Sequence, residues 1–357
     1  MRVAAFTRKA NADTMEHSAR LLTNRTALQQ ARDVVRDIVF KPVERHLDEE
    51  AKKFLGAAGP SAPDFSLPVG EPALAHPEAL SWRIFKNPVT LFIGGIAAVL
   101  LEFAYPAVRE GVWRHSNFRI DPVGRLRRTG LAAMVTVYGP QSVARRMIKR
   151  VNAMHANVSG ITDDGLAYNA TDPDLLDWVQ ATANFGFLEA YATYASAMTP
   201  DEKDTYYKEA RPSAALYGAF GAPASLEAQG AFIDNKLNAL ESSPQIFEFI
   251  DIIRHAPALP AHMRPSQRVF LRAAIDILPE QVRRILDLEG RGLRPFEHTL
   301  VSRLARRADR LCLVSGPPAQ SCRRLGLPAD WLYERERTGA VSLGDKGGIA
   351  SRVTGRF

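Results

Sequence analysis

The sequence predicts an all-α fold in which several helices form one large domain. Runs of β-branched residues with alternating polarity are nearly absent, whereas stretches rich in Ala, Leu and Arg, with apolar residues three and four positions apart, recur to about Arg310. Helix-start signals indicate the same fold class, since Pro173 follows Asp172 and Thr199 precedes Glu202 in a capping box. The composition, 46% hydrophobic and 24% charged, is that of a globular protein with material for one sizeable core.

Composition divides the chain into an N-terminal arm with a connector (1–79), a main domain and a tail. Asn11–Leu55 is polar but periodic, which predicts one or two amphipathic helices. Gly56–Glu78 carries several prolines and glycines with little periodicity, which predicts an extended, exposed connector. The main helical domain is expected over residues 80–337, and the Gly-, Ser- and Thr-containing residues 338–357 predict a flexible tail.

The most hydrophobic stretch of the chain runs from Val89 to Leu101. It is shorter than the ~18 residues needed for a membrane span, and Glu102 ends it, so it predicts a buried core helix and no stable span. Gly94 and Gly95 lie inside it without a following Gly-Lys-Ser, which favours close helix packing over phosphate binding. The N-terminal residues lack a continuous apolar segment of the secretory type, which predicts a cytoplasmic protein.

The chain is basic, with a formal net charge of +7 and a pI of about 9.5. The basic residues are spread along the chain without interleaved aromatic residues, which favours solvated faces and argues against a nucleic-acid partner. Arginines are dense from Arg283 to Arg310, and such a run can also face acidic headgroups or the carboxylates of a cofactor. The two cysteines, Cys312 and Cys322, have no spacing typical of a zinc site.

A helix with a histidine on its apolar face is expected over Ser142–Val158. Its polar positions hold basic residues, and His155 falls among the apolar ones. The apolar positions are Val143, Met147, Val151, Met154, His155 and Val158, and the basic ones are Arg145, Arg146, Lys149 and Arg150. Such a histidine is either a hydrogen-bonded core residue or an axial ligand of a haem iron, and the periodicity leaves both interpretations open.

A series of motifs between Trp82 and Tyr217 resembles the catalytic domain of the MpaB and latex-clearing-protein (rubber oxygenase) family. Their order and spacing carry the resemblance, since no fragment is decisive alone. The motifs are Gly94-Gly95 through Leu100-Leu101-Glu102, Tyr105-Pro106, His115-Ser116-Asn117-Phe118, Asp121-Pro122-Val123-Gly124-Arg125-Leu126-Arg127-Arg128-Thr129, His155-Ala156-Asn157-Val158-Ser159-Gly160 and Tyr168-Asn169-Ala170-Thr171-Asp172-Pro173-Asp174-Leu175-Leu176-Asp177-Trp178-Val179.

The resemblance implies a haem b-dependent oxygenase or related oxidoreductase, with a haem pocket between helices and His155 as the iron ligand. It also implies an Arg-x-x-basic-Thr element, here Arg125, Arg128 and Thr129. Arg125 and Thr129 are one helical turn apart and suit the haem propionates, which favour guanidinium and hydroxyl partners. Arg128 is assigned to the catalytic, distal side, and Glu102 is a candidate general base near bound oxygen. The implied partners are molecular oxygen and a hydrophobic, unsaturated small molecule.

Three departures from the family pattern bear on activity. Tyr105 and Gln180 stand where family members commonly have histidine, and Arg128 stands where the rubber-cleaving branch has lysine. Because a guanidinium does not replace an ammonium without altering local geometry, rubber is not the expected substrate. Two alternatives to an oxygenase remain: a haem-binding protein without turnover, for storage, sensing or transfer, and a helical domain that has lost haem.

Overall fold

The computed structural model of the protein describes residues 48–49 and 63–337. Over residues 63–337 it contains fourteen α-helices, two short 3-10 helices and two short strands. The helices are α1 (Leu80–Phe85), α2 (Pro88–Ala104), α3 (Pro106–His115), α4 (Pro122–Tyr138), α5 (Gln141–His155), α6 (Pro173–Tyr194), α7 (Pro200–Leu216), α8 (Leu226–Lys236), α9 (Pro244–His255), α10 (Arg264–Asp276), α11 (Glu280–Ile285), α12 (Glu297–Ala308), α13 (Pro317–Arg324) and α14 (Trp331–Arg337). The predicted all-α, single-domain fold is confirmed.

Proline-led starts account for many helix boundaries, because proline needs no hydrogen-bond donor in the first helical turn. The side chain of Asp172 accepts a hydrogen bond from the backbone of Asp174 at the start of α6. Thr199 and Glu202 form the predicted reciprocal capping box at the start of α7. Both predicted helix starts are therefore confirmed.

One element departs from the expected helical run. Strands β1 (Ser159–Ile161) and β2 (Ala167–Asn169) form an antiparallel hairpin between α5 and α6, with Gly160 opposite Tyr168. Gly165 has a φ of 90° in the connecting turn, a conformation that glycine adopts without strain. This short hairpin is a local exception within the predicted helical fold, and the Asp164-Gly165 pair in its connection is a common turn sequence.

Helices α2 and α6 form the centre of the fold, and α10 and α12 pack beside them. Their backbones approach closely at two glycines: a Cβ added to Gly94 would lie 2.6 Å from the carbonyl oxygen of Gly186. A Cβ on the neighbouring Gly95 would meet only a ring atom of Phe187, at 3.9 Å. The predicted role of this glycine pair in close helix packing is thus confirmed, and Gly94 is the residue at the close contact.

The segment before α1 has no helix or strand over residues 63–79, as an extended connector requires, but it is not exposed throughout. Phe65 is buried at 1% exposure, and its carbonyl accepts a 2.6 Å hydrogen bond from the guanidinium of Arg324 on α13. The backbone amide of Gly70 donates to the carbonyl of Arg324 in return. The expectation of uniform exposure was therefore wrong at Phe65, because an aromatic side chain found a place in the core.

Several predicted segments lie outside the described residues. They are the arm helices within residues 11–55, apart from Asp48 and Glu49, the first part of the connector at 56–62, and the tail at 338–357. The carboxylate of Asp48 accepts hydrogen bonds from the backbone and hydroxyl of Ser315. The division of the chain at residues 80 and 337 stays a prediction.

No single helix in the described part of the chain is both long and apolar enough to cross a membrane. The consecutive helices α2 and α3 are long and apolar enough when taken together, but they are bent by 109° relative to each other.

Candidate functional site

Helix α5 presents a basic outer face and ends at His155. Arg145, Arg146, Lys149 and Arg150 are all exposed, as the periodicity predicts, and Ala144 and Ile148 are buried on the opposite side. His155 is half-buried and lies on that inner side. Met154 was wrongly assigned to the apolar face, since its side chain is 60% exposed. It lies one residue, or about 100°, from His155 around the helix, and this places it at the edge of the solvated side.

The imidazole of His155 makes no hydrogen bond within the described part of the chain. Its Nδ1 is buried, and neither ring nitrogen has a hydrogen-bond partner among the described residues. Burial lowers the pKa of His155, and the positive charge of Arg125 lowers it further. The ring is therefore neutral at neutral pH and keeps a nitrogen lone pair available to an electrophile or metal.

Glu102 lies in the last turn of α2 with its carboxyl group shielded from water. Burial raises the pKa of Glu102 to about 7, and the positive charge of Arg125 opposes this shift without cancelling it. A carboxyl group with this pKa exchanges a proton near neutral pH, which is the property required of a general acid or base. The sequence-predicted candidate therefore has suitable acid–base chemistry.

Arg125, in the first turn of α4, connects the other two groups electrostatically. Its Nη1 donates a 2.5 Å hydrogen bond to Thr129 Oγ1, and that hydroxyl donates to the carbonyl of Arg125 at 3.0 Å. Burial lowers the pKa of Arg125, and Arg128 lowers it further, whereas Glu102 raises it. The positive charge of Arg125 thus acts on both Glu102, at the end of α2, and His155, at the end of α5.

Arg128 is held at the surface at the start of α4. Its guanidinium donates to the side chain of Asn117 at 2.7 Å and pairs with Asp121 at 3.4 Å. The side chain is 54% exposed. Its nearest described polar partners therefore belong to the loop before α4, and the catalytic role expected of it stays a prediction.

The two residues that replace family histidines are both engaged by protein groups. Tyr105 Oη donates to the carboxylate of Asp174 at 3.3 Å, and its ring lies 5.9 Å from that of Trp178. The amide of Gln180 donates to Asn184 on the same helix at 3.2 Å. Both side chains therefore make contacts within the protein that a histidine at the same position would not necessarily make.

Helices α4 and α5 form a helical hairpin. It is buried near the turn that joins the two helices and only partly buried at its other end. The fully buried residues of α4 are Val135, Val137 and Tyr138, all in its last turn. The hairpin packs on α1 and α13 through α4, and it makes no comparably close backbone packing with α2 or α6. Apolar residues nearer the start of α4 are only half-buried, and these are Leu126, Leu131, Ala133 and Met134.

Two clefts lie elsewhere on the described surface. One, of about 220 Å³, includes Arg109 and Ser243, and the other, of about 280 Å³, includes Arg145 and Asn152. Neither includes His155. The described residues also contain no cluster of three His, Cys, Asp or Glu side chains arranged to hold a metal ion.

Residues 82–311, more than half of the chain, match the family described as ER-bound oxygenase mpaB/B'/Rubber oxygenase, catalytic domain. The chain belongs to this family, and the family assignment made from the sequence motifs is confirmed.

Relatives among curated proteins include one uncharacterised protein from Mycobacterium bovis and one from Mycobacterium tuberculosis. Each is 25% identical over 222 residues, which covers 60% of this chain and 87% of the relative. No solved structure matches the chain significantly.

Replacing Glu102 with glutamine should remove a pH-dependent loss of stability. The carboxyl pKa is about 7 in the folded protein against 4.5 for an ordinary glutamate. Between these values the folded state binds more protons than the unfolded state, so the free energy of unfolding falls as pH rises. Glu102→Gln should therefore be more stable than the wild type by ~1–3 kcal/mol above the folded pKa. Urea unfolding of the haem-free proteins at about pH 5 and about pH 8 tests this difference.

At the lower pH the two proteins should differ little, because Glu102 is then largely protonated in the folded state. An equal difference between the proteins at both pH values would show that Glu102 does not titrate near neutrality.

Proposed function

We propose that the protein is a haem b-dependent oxygenase in which His155 would hold the haem iron and the substrate is a hydrophobic, unsaturated small molecule. The observation that carries the proposal is the neutral imidazole of His155, whose nitrogens have no hydrogen-bond partner among the described residues. The positive charge of Arg125 acts on both this imidazole and Glu102. An imidazole without other protein ligands suits a metal that is already held by a porphyrin. Haem iron supplies the oxygen chemistry when it is bound.

The surrounding residues fit an amphipathic cofactor. The half-buried apolar residues on α4 suit the apolar ring, since they are covered only in part by protein. Arg125 and Thr129 supply the guanidinium and hydroxyl that propionates favour.

Glu102 gives this site a proton donor and acceptor of its own. With a pKa of about 7, its carboxyl group is present in both protonation states near neutral pH. Burial raises the pKa by favouring the protonated form, and the positive charge of Arg125 favours the carboxylate and so limits that rise. Glu102 can therefore take a proton from a bound substrate and return it without a large energetic penalty in either direction.

A haem-binding protein without turnover is the second candidate. Tyr105 and Gln180, which stand in place of family histidines, are both occupied by contacts within the protein. If those histidines assist turnover in relatives, their absence leaves haem binding through His155 intact while removing catalysis. Storage, sensing or transfer of haem would then be the function.

Spectroscopy followed by an oxygen assay separates these functions. Protein produced with adequate haem supply should show a Soret band and about one haem per chain. Oxygen consumption should then rise with one or more members of a panel of terpenoid and long-chain unsaturated compounds. A Soret band without oxygen consumption supports the non-catalytic candidate, and the absence of a Soret band contradicts both and indicates a domain that has lost haem.

Arg125→Ala should weaken haem retention or shift the haem spectrum without unfolding the protein. The substitution removes a charge-assisted partner of the cofactor and leaves the buried residues of α4 in place. It also removes a positive charge that lowers the pKa of His155, so that pKa should rise in the haem-free variant. Haem titration and proton NMR of the histidine ring measure the two effects. Unchanged haem content and spectrum would remove Arg125 from the site.

A further inference from the structure

Helix α12 has an exposed face that combines apolar and basic residues. Phe296, at the N-terminal boundary of the helix, is 89% exposed, and Leu300, one turn later, is 46% exposed. The following turns carry three exposed arginines along the same side of the helix, and the exposed Arg310 lies just beyond its end. We call this face the α12 surface, and it consists of Phe296, Leu300, Arg303, Arg306, Arg307 and Arg310.

The opposite face of α12 fixes the orientation of this surface. Val301 and Ala305 are fully buried, and they direct the helix against α2, α6 and α10 in the middle of the fold. Because those contacts hold one side of α12 in the core, the α12 surface cannot turn inward without unfolding the domain. Its exposed apolar residues are therefore a fixed feature of the folded protein.

Phe296 is exposed in a strained conformation. Its φ of 73° lies in the left-handed region, which is strained for a non-glycine residue. Burial of the ring does not offset this strain, since 89% of the residue is accessible. A bulky apolar residue that is both strained and exposed is an unusual combination, and such outliers concentrate at functional surfaces.

The acidic residues of α12 do not neutralise its arginines. Glu297 is held by Arg272 through hydrogen bonds of 2.8 and 2.5 Å, and Asp309 pairs with the buried ammonium of Lys86 at 2.8 Å. Arg303 and Arg307 form no ion pair with any described residue. The α12 surface therefore carries an uncompensated positive charge directly beside its apolar residues.

We propose that the α12 surface docks the protein peripherally on an anionic phospholipid membrane. Phe296 and Leu300 would enter the boundary between headgroups and acyl chains, and the arginines would bind the phosphates around them. A nucleic acid fits less well, because an aliphatic side chain such as Leu300 offers no stacking surface to a base. This contact is independent of the haem site, since none of its residues belongs to the cluster around His155.

Vesicle flotation tests the proposal with the full-length protein. The probes are vesicles of phosphatidylcholine alone and vesicles of equal parts phosphatidylcholine and phosphatidylserine. The wild type should bind the anionic vesicles, and added salt should weaken this binding. Arg303→Gln/Arg307→Gln should lower the partition constant about thirtyfold, as expected for the loss of two charges at an anionic surface. Phe296→Asn should lower it on the order of tenfold, and asparagine tolerates the left-handed backbone.

A matched control removes two charges from the exposed face of α5. Lys149→Gln/Arg150→Gln changes the net charge by the same amount and should leave vesicle binding nearly unchanged. Circular dichroism and the unfolding temperature establish that each variant is folded. Equal losses in the α5 and α12 variants, or no binding of the wild type to anionic vesicles, would overturn the proposal. Binding that depends on the arginines but not on Phe296 would overturn the insertion of the apolar residues and indicate a purely electrostatic contact with the headgroups.

Discussion

His155→Ala should abolish stoichiometric haem binding while most of the helical content remains. The substitution removes an imidazole at the C-terminal end of α5, where no described protein group depends on it for a hydrogen bond. A destabilisation on the order of 1–3 kcal/mol is expected from the lost packing whether or not iron binds there, so stability does not test the assignment. The measurement is haem occupancy and Soret position in the folded variant.

His115→Ala and His255→Ala are the matched controls for this experiment. His115 Nε2 lies 3.2 Å from the hydroxyl of Tyr168, and His255 is an exposed residue at the end of α9 that lies beside Asp251. Neither change should affect haem content. If His155→Ala keeps full haem with an unaltered spectrum while one of the controls loses it, the ligand assignment is wrong.

Gly94→Ala should destabilise the protein by about 4 kcal/mol or more, because the added methyl group meets backbone atoms of α6 that cannot move independently. The new carbon would lie 2.6 Å from the carbonyl oxygen of Gly186 and 2.8 Å from the Cα of Phe187. A loss of this size is a large part of the ~5–15 kcal/mol that stabilises a typical domain. Urea unfolding, or the soluble yield if the variant does not fold, measures the effect.

Gly95→Ala is the control, since it places the same methyl group one residue further along the same helix. Its nearest described neighbour is a ring atom at 3.9 Å, which is ordinary contact. Because alanine favours a helix over glycine, this variant should be neutral or more stable by up to ~1 kcal/mol. Equal stability of the two variants would contradict the close approach of α2 and α6.

The sequence predicted the helical architecture because its signals are local. The prolines at helix starts and the capping box at Thr199 involve residues within one helical turn. They can therefore be recognised in the sequence without knowledge of tertiary contacts. The partner of Gly94 was not predictable in this way, since Gly186 lies on another helix and nothing local links the two. The hairpin at Gly160 was missed because three-residue strands are too short for a periodic signal.

Residue patterns predicted the candidate site only in part. Periodicity placed His155 on the inner side of α5, but it could not decide between a role as a core residue, which is the commoner one for such a histidine, and a role as a ligand. The convergence of Glu102, Arg125 and His155 depends on the packing of three helices, and it was expected from the family motifs alone. The raised pKa of Glu102 was also not predictable, because it follows from burial that the tertiary fold creates.

The bonds of Arg324 have a consequence for how the protein is synthesised. This guanidinium binds the carbonyl of Phe65, which is 259 positions earlier in the chain, and the carbonyl of Glu71. Such distant partners cannot meet until translation has delivered nearly the entire domain, and at a typical elongation rate this delay is on the order of tens of seconds. The contact between the loop before α1 and α13 is therefore among the last parts of the domain to form during synthesis.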